Sequence, residues 1–130
     1  MNIGEAAKLS GISAKTIRYY ESIGLIPAAG RTAAGYRAYT RNEVETLRFI
    51  HRARSLGFSV EDVSGLLELW RDRSRASADV KSIALSHVAA IERKIAELDS
   101  IRRTLLDLTN RCCGDDHPEC PILDGLASEG

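Results

Sequence analysis

The chain of 130 residues suffices for one domain, or for one small domain with an appendage. Its hydrophobic content of 44% excludes wholesale disorder, and the low count of seven aromatic residues with three prolines favours a helical protein. No apolar run is long enough to span a membrane, and the first ten residues lack the basic and apolar regions of a secretion signal. We therefore expect a cytoplasmic protein without a membrane partner.

The net charge of zero conceals an uneven distribution of charge. Up to Leu56 there are nine lysines and arginines against four acidic residues, whereas the remainder has nine against fourteen. A basic amino-terminal half joined to an acidic carboxy-terminal half predicts a nucleic-acid surface at one end of the chain only.

The first 24 residues predict two short helices joined by a tight turn. The segment 3–10 has apolar residues at helical spacing and ends at Gly11. Ser13 can cap a second helix, AKTIRYYESIG, in which Ile17 and Tyr20 face inward and which Gly24 closes. Two such helices around a glycine turn are typical of the helix-turn-helix motif.

The next segment, 27–40, contains two glycines, and its polar and apolar residues alternate only weakly. We therefore predict a short hairpin, or wing, rather than a helix. Thr40 with Glu43, and Ser59 with Asp62, have the spacing of capping boxes that open a third and a fourth helix. Apolar residues at helical spacing in the fourth helix predict a face packed in the core, formed by Val60, Val63, Leu67 and Trp70.

A polar linker at 71–79 precedes the longest predicted helix, 80–109. Its apolar residues are spaced by three or four, which is the spacing of a coiled-coil seam. A helix of that length measures about 45 Å, too long to bury its seam against so small a domain. We therefore expect a homodimer through a coiled coil. The seam consists of Ala84, Val88, Ile91, Ile95, Leu98, Ile101, Leu105 and Leu108.

A helix-turn-helix presents its second helix to the major groove of DNA, and basic side chains around it contact phosphates. Each such cation could alone be a solvated surface residue, but their concentration around one motif favours double-stranded DNA as a partner. The candidates are Lys15, Arg18 and Tyr19 in the second helix, Arg31, Tyr36 and Arg37 in the wing, and Arg52 and Arg54 in the third helix.

The stretch MNIGEAAKLSGISAKTIRYYESIGLIPAAGRTAAGYRAYT resembles the amino-terminal domain of MerR-family transcription regulators. The matching patterns are TIRYYE-IGLI-P in the recognition helix and R---GYR-Y in the wing. The resemblance implies a mainly α fold with a winged helix-turn-helix head at 1–70, a linker at 71–79, an antiparallel dimerisation helix at 80–109 and a metal-binding loop and tail at 110–130.

All three cysteines, Cys112, Cys113 and Cys120, lie within nine residues of one another. In a reducing cytosol such a cluster more often serves metal or redox chemistry than a structural disulfide. Cu(I) is satisfied by two soft sulfur ligands, whereas zinc ordinarily takes four ligands. The three thiols with His117 could supply four, so a divalent-metal (Zn, Cd or Pb) sensor is the alternative.

The sequence lacks the residues that two other classes of protein, an iron–sulfur sensor and a thiol enzyme, would require. An iron–sulfur sensor would need four clustered cysteines, and this chain has three. A thiol enzyme would need a positioned base and a substrate pocket, and no Ser/His/Asp or Gly-rich phosphate pattern is present. We therefore expect a protein that is not an enzyme.

The loop CCGDDHPECPIL is similar to that of the copper-efflux branch of the family. The resemblance implies that Cys112 and Cys120 bind one Cu(I) ion per loop, or Ag(I) or Au(I), and that Cys113 departs from the pattern. Branches that sense divalent or mercuric ions tend to have cysteine where this chain has Ser77, which is also a candidate helix N-cap.

The same resemblance implies how the regulator acts. The homodimer binds a dyad-symmetric promoter operator with and without metal. The metal-bound form distorts the DNA so that RNA polymerase engages the promoter, which activates efflux or detoxification genes.

Overall fold

The structure, a computed structural model, describes residues 1–35 and 37–128. Its described elements are mainly helical, as predicted, and the chain divides into two compact units, Met1–Val80 and Lys81–Gly130. The elements are α1 (Ile3–Ser10), α2 (Ala14–Ser22), β1 (Gly30–Arg31), β2 (Arg37–Ala38), α3 (Arg41–Ser55), α4 (Val60–Arg71), α5 (Ser77–Arg111) and α6 (Pro121–Ala127).

The helix-turn-helix is formed by short-range capping. Asn2 caps α1, accepting a hydrogen bond from the Glu5 amide at 2.8 Å. At the other end Gly11 takes φ 80°, a left-handed conformation that a residue with a Cβ rarely adopts. The predicted N-cap Ser13 accepts from the Thr16 amide at 3.2 Å. Both predicted helices are confirmed, while the Asn2 cap was not foreseen.

The predicted wing is confirmed as an antiparallel pair of two-residue strands. Gly30 pairs with Ala38 and Arg31 with Arg37. Immediately after β2, the Tyr39 hydroxyl donates to the Glu21 carboxylate of α2. That bond ties the base of the wing to the recognition helix.

The core of the first unit is centred on α3, which packs against α1 and α4. Five side chains are almost completely buried, and each contributes about 2 kcal/mol through removal of apolar surface from water. They are Ile17 of α2, Leu47 and Ile50 of α3, and Val63 and Leu67 of α4. The head therefore has a core of its own.

Trp70 was predicted to lie in that core, and this prediction is wrong. Trp70 is 43% exposed and stacks on Phe49, with ring centroids 4.5 Å apart and planes 9° from parallel. It follows Val63 and Leu67 along the same face of α4, but it stands in the last turn, where the core ends. Helical spacing alone predicts which face of a helix is turned to the core, but not how far along the helix that face is buried.

Helix α5 is longer than predicted at both ends, with 35 residues, or about 52 Å. Ser77 is its first residue, so the expectation that Ser77 is the N-cap is off by one position. Most of the predicted seam is exposed in this single chain, including Ile95 and Leu98 at mid-helix. Leu108 is the exception at 6% exposure.

Leu108 is buried by the carboxy-terminal helix α6. A Cβ placed on Gly125 would lie 3.0 Å from Leu108 Cδ1 and 3.3 Å from Leu108 Cγ, and closer still to Leu108 Cδ2. Only a glycine therefore allows α6 to approach α5 this closely. This contact folds the chain back after the cysteine segment.

The Gly125→Ala variant tests that contact. The added methyl group collides with Leu108, and we expect α6 docking to weaken by about 1–3 kcal/mol. Hydrogen exchange at the amides of residues 122–127 should accelerate accordingly. Gly65→Ala is the matched control, because nothing lies within 4 Å of its added Cβ in α4. It should stabilise α4 by about 0.5–1 kcal/mol, and equal exchange of α6 in the two variants would contradict the contact.

Candidate DNA-binding surface and metal-binding loop

Helix α2 separates its residues into two faces, as predicted. Ile17 and Tyr20 are buried in the head, while Lys15, Arg18 and Tyr19 are exposed. The three exposed side chains include two cations and one aromatic phenol, which suit phosphate and base edges. The predicted recognition residues therefore lie together on the outer face of one helix.

The turn between α1 and α2 is anchored on α3. Arg48 Nε donates to the Leu9 carbonyl oxygen at 3.0 Å. The His51 ring lies against Gly11, where an added Cβ would be 3.2 Å from Nε2. Arg48 and His51 were not singled out from the sequence, because their role depends on a contact across some forty residues. Arg52, the next residue along α3, is exposed.

Two of the predicted phosphate-binding arginines also make bonds within the head. Arg54 Nη1 donates to the Phe58 carbonyl oxygen at 2.8 Å, and Arg31 Nη1 donates to the Gly35 carbonyl oxygen at 3.2 Å. Each guanidinium has five N–H groups, so these bonds orient the side chain and leave donors for DNA. Arg37 lies in β2, and the predicted contact Tyr36 lies outside the described residues.

The cysteine segment connects the end of α5 with the start of α6. The Cys112 amide donates to the Thr109 carbonyl oxygen at 3.1 Å, which fixes Cys112 on the last turn of α5. Cys120 is the N-cap of α6, as predicted, and its side chain makes no capping bond. Cys112 and Cys120 are half-buried free thiols, whereas Cys113 is an exposed free thiol.

The fold brings the two half-buried thiols to the same end of the second unit. Leu108 lies about one turn before Cys112, and Gly125, which packs on Leu108, comes five residues after Cys120. The loop that joins the two thiols therefore begins and ends beside one contact. Two thiolates are the number of ligands that a soft monovalent ion needs.

A site with more ligands is not assembled in the part of the chain that the structure describes. There, no group of three or more histidine, cysteine, aspartate or glutamate side chains is arranged to hold a metal ion. His117 is exposed, and its amide donates to the Asp115 carboxylate at 3.0 Å. His117 and Cys113 thus lie in the same loop as the two thiols without forming a common ligand set.

Ser77 lies in the first unit and lines a cavity of about 500 Å³ together with Trp70, Arg73 and Arg75. Arg75 Nη1 donates to the Asp72 carbonyl oxygen at 2.9 Å and the Trp70 carbonyl oxygen at 3.4 Å. We call this cavity the arginine pocket. The sequence predicted only a polar linker here, so the pocket was missed.

Asp72 is one of the two acidic residues in the segment 71–79, and it is already engaged. Its carboxylate accepts from the Ser74 hydroxyl at 2.5 Å and the Ser74 amide at 2.9 Å. These bonds, with the nearby Arg75 charge, hold the pKa of Asp72 below its usual value. The Asp-x-Ser spacing is the one signal that could have indicated an ordered turn.

Within the described residues, none of the helices is long and apolar enough to cross a membrane.

Comparison with known proteins identifies the class of the chain as a DNA-binding transcription regulator. The family model "MerR HTH family regulatory protein" matches residues 1–70, and "MerR, DNA binding" matches residues 44–108. The chain belongs to the MerR family. Its relatives are transcription regulators and not enzymes, which confirms that expectation.

Three similar proteins extend over almost the whole chain. The HTH-type transcriptional regulator HmrR of Sinorhizobium medicae is 61% identical over 130 residues, covering 100% of this chain and 88% of that protein. CueR of Escherichia coli O157:H7 is 45% identical over 127 residues, covering 98% and 94%. The crystal structure of PbrR691 from Ralstonia metallidurans CH34 in complex with lead(II) has a TM-score of 0.84 at 32% identity, covering 98% and 99%.

Arg18→Ala tests the recognition face. Loss of a base or phosphate contact should weaken binding by roughly 1–3 kcal/mol, about ten- to hundred-fold, and reduce the salt dependence of binding. Fluorescence anisotropy with a duplex selected by the wild-type protein from a random pool measures both. Lys94→Ala removes the same charge from the exposed side of α5 and should change affinity little. Equal losses in the two variants would contradict a role for α2 in recognition.

Proposed function

We propose that this metal-responsive MerR-family regulator binds Cu(I) through Cys112 and Cys120 and activates efflux or detoxification genes in the cytoplasm. The observation that carries the proposal is the pair of half-buried free thiols at the two ends of one short loop, next to an exposed third thiol. Soft thiolates favour soft monovalent ions, and Ag(I) and Au(I) share that chemistry with Cu(I). The similarity to CueR and HmrR supports the same reading.

The exposed residues of the helix-turn-helix head support double-stranded DNA as the partner. The exposed face of α2 and the wing supply the contacts, and residues Lys15, Arg18, Tyr19, Arg31, Tyr36, Arg37, Arg52 and Arg54 are proposed to make them. The exposed seam of α5 supports a homodimer, because apolar residues along a helix of about 52 Å need a partner helix. A dimer has two heads and therefore suits a dyad-symmetric operator.

Regulation requires a protein with two arrangements of its heads, one of which the metal favours. Cu(I) would join two thiolates at the end of α5 and cancel one of their two negative charges, and the change in that loop is proposed to alter the relative placement of the heads. The operator DNA is then distorted so that RNA polymerase engages the promoter. Ser77, at the start of α5 of the second copy in the homodimer, is proposed to lie near the ion beside the two thiol ligands.

A divalent-metal sensor is the second candidate, because PbrR691 has a similar structure and was solved in complex with lead(II). Such a site would recruit Cys113 and His117 in addition to the two half-buried thiols. The exposure of Cys113 and His117 favours the two-thiol site instead.

The three Cys→Ser variants separate these candidates. Cys112→Ser and Cys120→Ser should each abolish stoichiometric Cu(I) binding, because only one of the two proposed ligand thiolates remains. Cys113→Ser, the matched control at the next residue of the same loop, should keep one Cu(I) per chain. A competition titration with a chromophoric Cu(I) chelator measures binding, and a promoter reporter measures induction.

The outcome that contradicts the two-thiol site is equally definite. A loss of Cu(I) binding in Cys113→Ser similar to that in Cys112→Ser would require a three-thiol site. X-ray absorption at the copper edge should show two sulfur neighbours, and a four-ligand shell with nitrogen would favour the divalent-metal sensor.

A further inference from the structure

The head contains a cavity that neither the proposed DNA contacts nor the cysteine loop account for. Its volume is about 250 Å³, whereas an enclosed apolar cavity of about 150 Å³ already binds benzene. The cavity is therefore large enough for a ring with a short polar arm. We call it the head cavity. Its lining comes from the segment after α2, the base of the wing, the first half of α3 and the end of α4: Ile26, Pro27, Tyr39, Asn42, Glu43, Thr46, Leu47 and Arg71.

The floor of the head cavity is apolar and held in place by the backbone. Ile26, Tyr39 and Leu47 are 7%, 3% and 1% exposed. The Ile26 amide donates to the Tyr20 carbonyl oxygen at 3.4 Å, and the Tyr39 amide donates to the Met1 carbonyl oxygen at 2.6 Å. A floor that is already ordered loses little conformational freedom when a ligand binds, which favours binding.

The rim of the head cavity includes one carboxylate and one guanidinium. Glu43 is half-buried, and its carboxylate accepts from the Thr40 hydroxyl at 3.1 Å in the first turn of α3, where the helix dipole stabilises negative charge. The exposed Arg71 makes no hydrogen bond or ion pair with any residue that the structure describes. The charge that the rim offers to a ligand is therefore positive.

We propose that the head cavity binds a small organic acid, with its apolar body on Ile26, Tyr39 and Leu47 and its carboxylate on the Arg71 guanidinium. Ligand sites typically combine an apolar lining with a few polar groups that fix orientation. A planar guanidinium binds a carboxylate through two parallel hydrogen bonds, which a neutral ligand cannot form. A cationic ligand with the same apolar body is repelled by Arg71.

The head cavity lies between two parts of the head that the proposed regulator uses. Tyr39 follows β2 directly, and its hydroxyl donates to the Glu21 carboxylate of α2, so Tyr39 connects the wing with the recognition helix. Arg71 is the last residue of α4, and α5 begins at Ser77. An acid that contacts both Tyr39 and Arg71 therefore gives the regulator a second effector besides the metal. That role rests on the proposed function, whereas binding of the acid does not.

Three ligands of equal shape and different charge test the site in the full-length wild-type protein. They are 3-phenylpropionate, 3-phenylpropylamine and 3-phenyl-1-propanol, titrated at pH 7 and followed by amide chemical shifts in nuclear magnetic resonance. The acid should bind about tenfold more tightly than the amine or the alcohol, because only the acid pairs with Arg71. Equal affinities for the three ligands would overturn the proposal. The amides that should shift are those of residues 26, 39, 42–47 and 71, and shifts confined to the exposed seam of α5 would overturn it as well.

Removal of the guanidinium tests the charged contact. Arg71→Gln should weaken binding of 3-phenylpropionate about tenfold and change that of 3-phenyl-1-propanol less than about twofold. Arg41→Gln is the matched control, because it removes the same charge one residue before Asn42 without touching the lining of the cavity. Equal losses in the two variants would mean general attraction of anions to a basic head, and would overturn the site.

Filling the head cavity tests its apolar floor. Thr46 is half-buried in the lining, and the ring introduced by Thr46→Phe occupies the space that the ligand needs. Neither the acid nor the alcohol should then bind, while circular dichroism reports whether the head is folded. Undiminished binding in a folded Thr46→Phe variant would overturn the proposal. If that variant does not fold, the comparison of Arg71→Gln with Arg41→Gln decides.

Two further measurements separate this site from the copper site and test the effector role. Cys112→Ser should bind 3-phenylpropionate as the wild-type protein does, so a failed copper site leaves the head cavity intact. Saturating 3-phenylpropionate should change the affinity of the wild-type protein for its selected DNA duplex by about threefold or more, and Arg71→Gln should reduce that change at the same concentration. Unchanged DNA affinity with the acid bound would overturn the role of the acid as an effector.

Discussion

The exposed apolar seam of α5 is the constraint on which the rest of the structure depends. The head buries its own core around α3, with Ile17, Leu47 and Ile50 almost completely enclosed. Among the described residues of α5, Leu108 under α6 is the one buried side chain. Burial of apolar surface is the main favourable term in folding, so the exposed seam of α5 favours association with a second chain that would bury it. Because the head is joined directly to the helix that forms the dimer interface, a change at that interface can alter the position of the head.

Most of the fold could be predicted from the sequence because its decisive signals are local. Gly11, Ser13, Thr40 and Ser59 each act on an amide or a backbone angle within three residues, and all four end or begin a helix as predicted. The wing was also predictable, although its strands are only two residues long. Local capping does not depend on the remainder of the chain, so a single sequence is enough to find it.

The failures concern residues whose role depends on distant partners. Trp70 has the spacing of a core residue, but it is 43% exposed and stacks on Phe49 at the end of α4. The arginine pocket is a local exception, because Arg75 turns back to carbonyl oxygens only three and five positions earlier, and no periodic pattern records that turn. The anchor between Arg48 and Leu9 joins residues 39 positions apart. Side chains of this kind are decided by tertiary contacts, and these override local preference.

The same distinction bears on the cysteines. The three thiols are equivalent in the sequence but not in the structure. The Cys112 amide is hydrogen-bonded to the last turn of α5, and Cys120 lies at the N-cap of α6. Cys113 has neither constraint and points its thiol to solvent. An ion that needs three or four ligands would have to order Cys113 and His117 at a cost in conformational entropy, whereas a two-ligand ion uses positions that are already ordered. The proposed preference for a soft monovalent ion therefore rests on backbone placement as well as on the chemistry of sulfur.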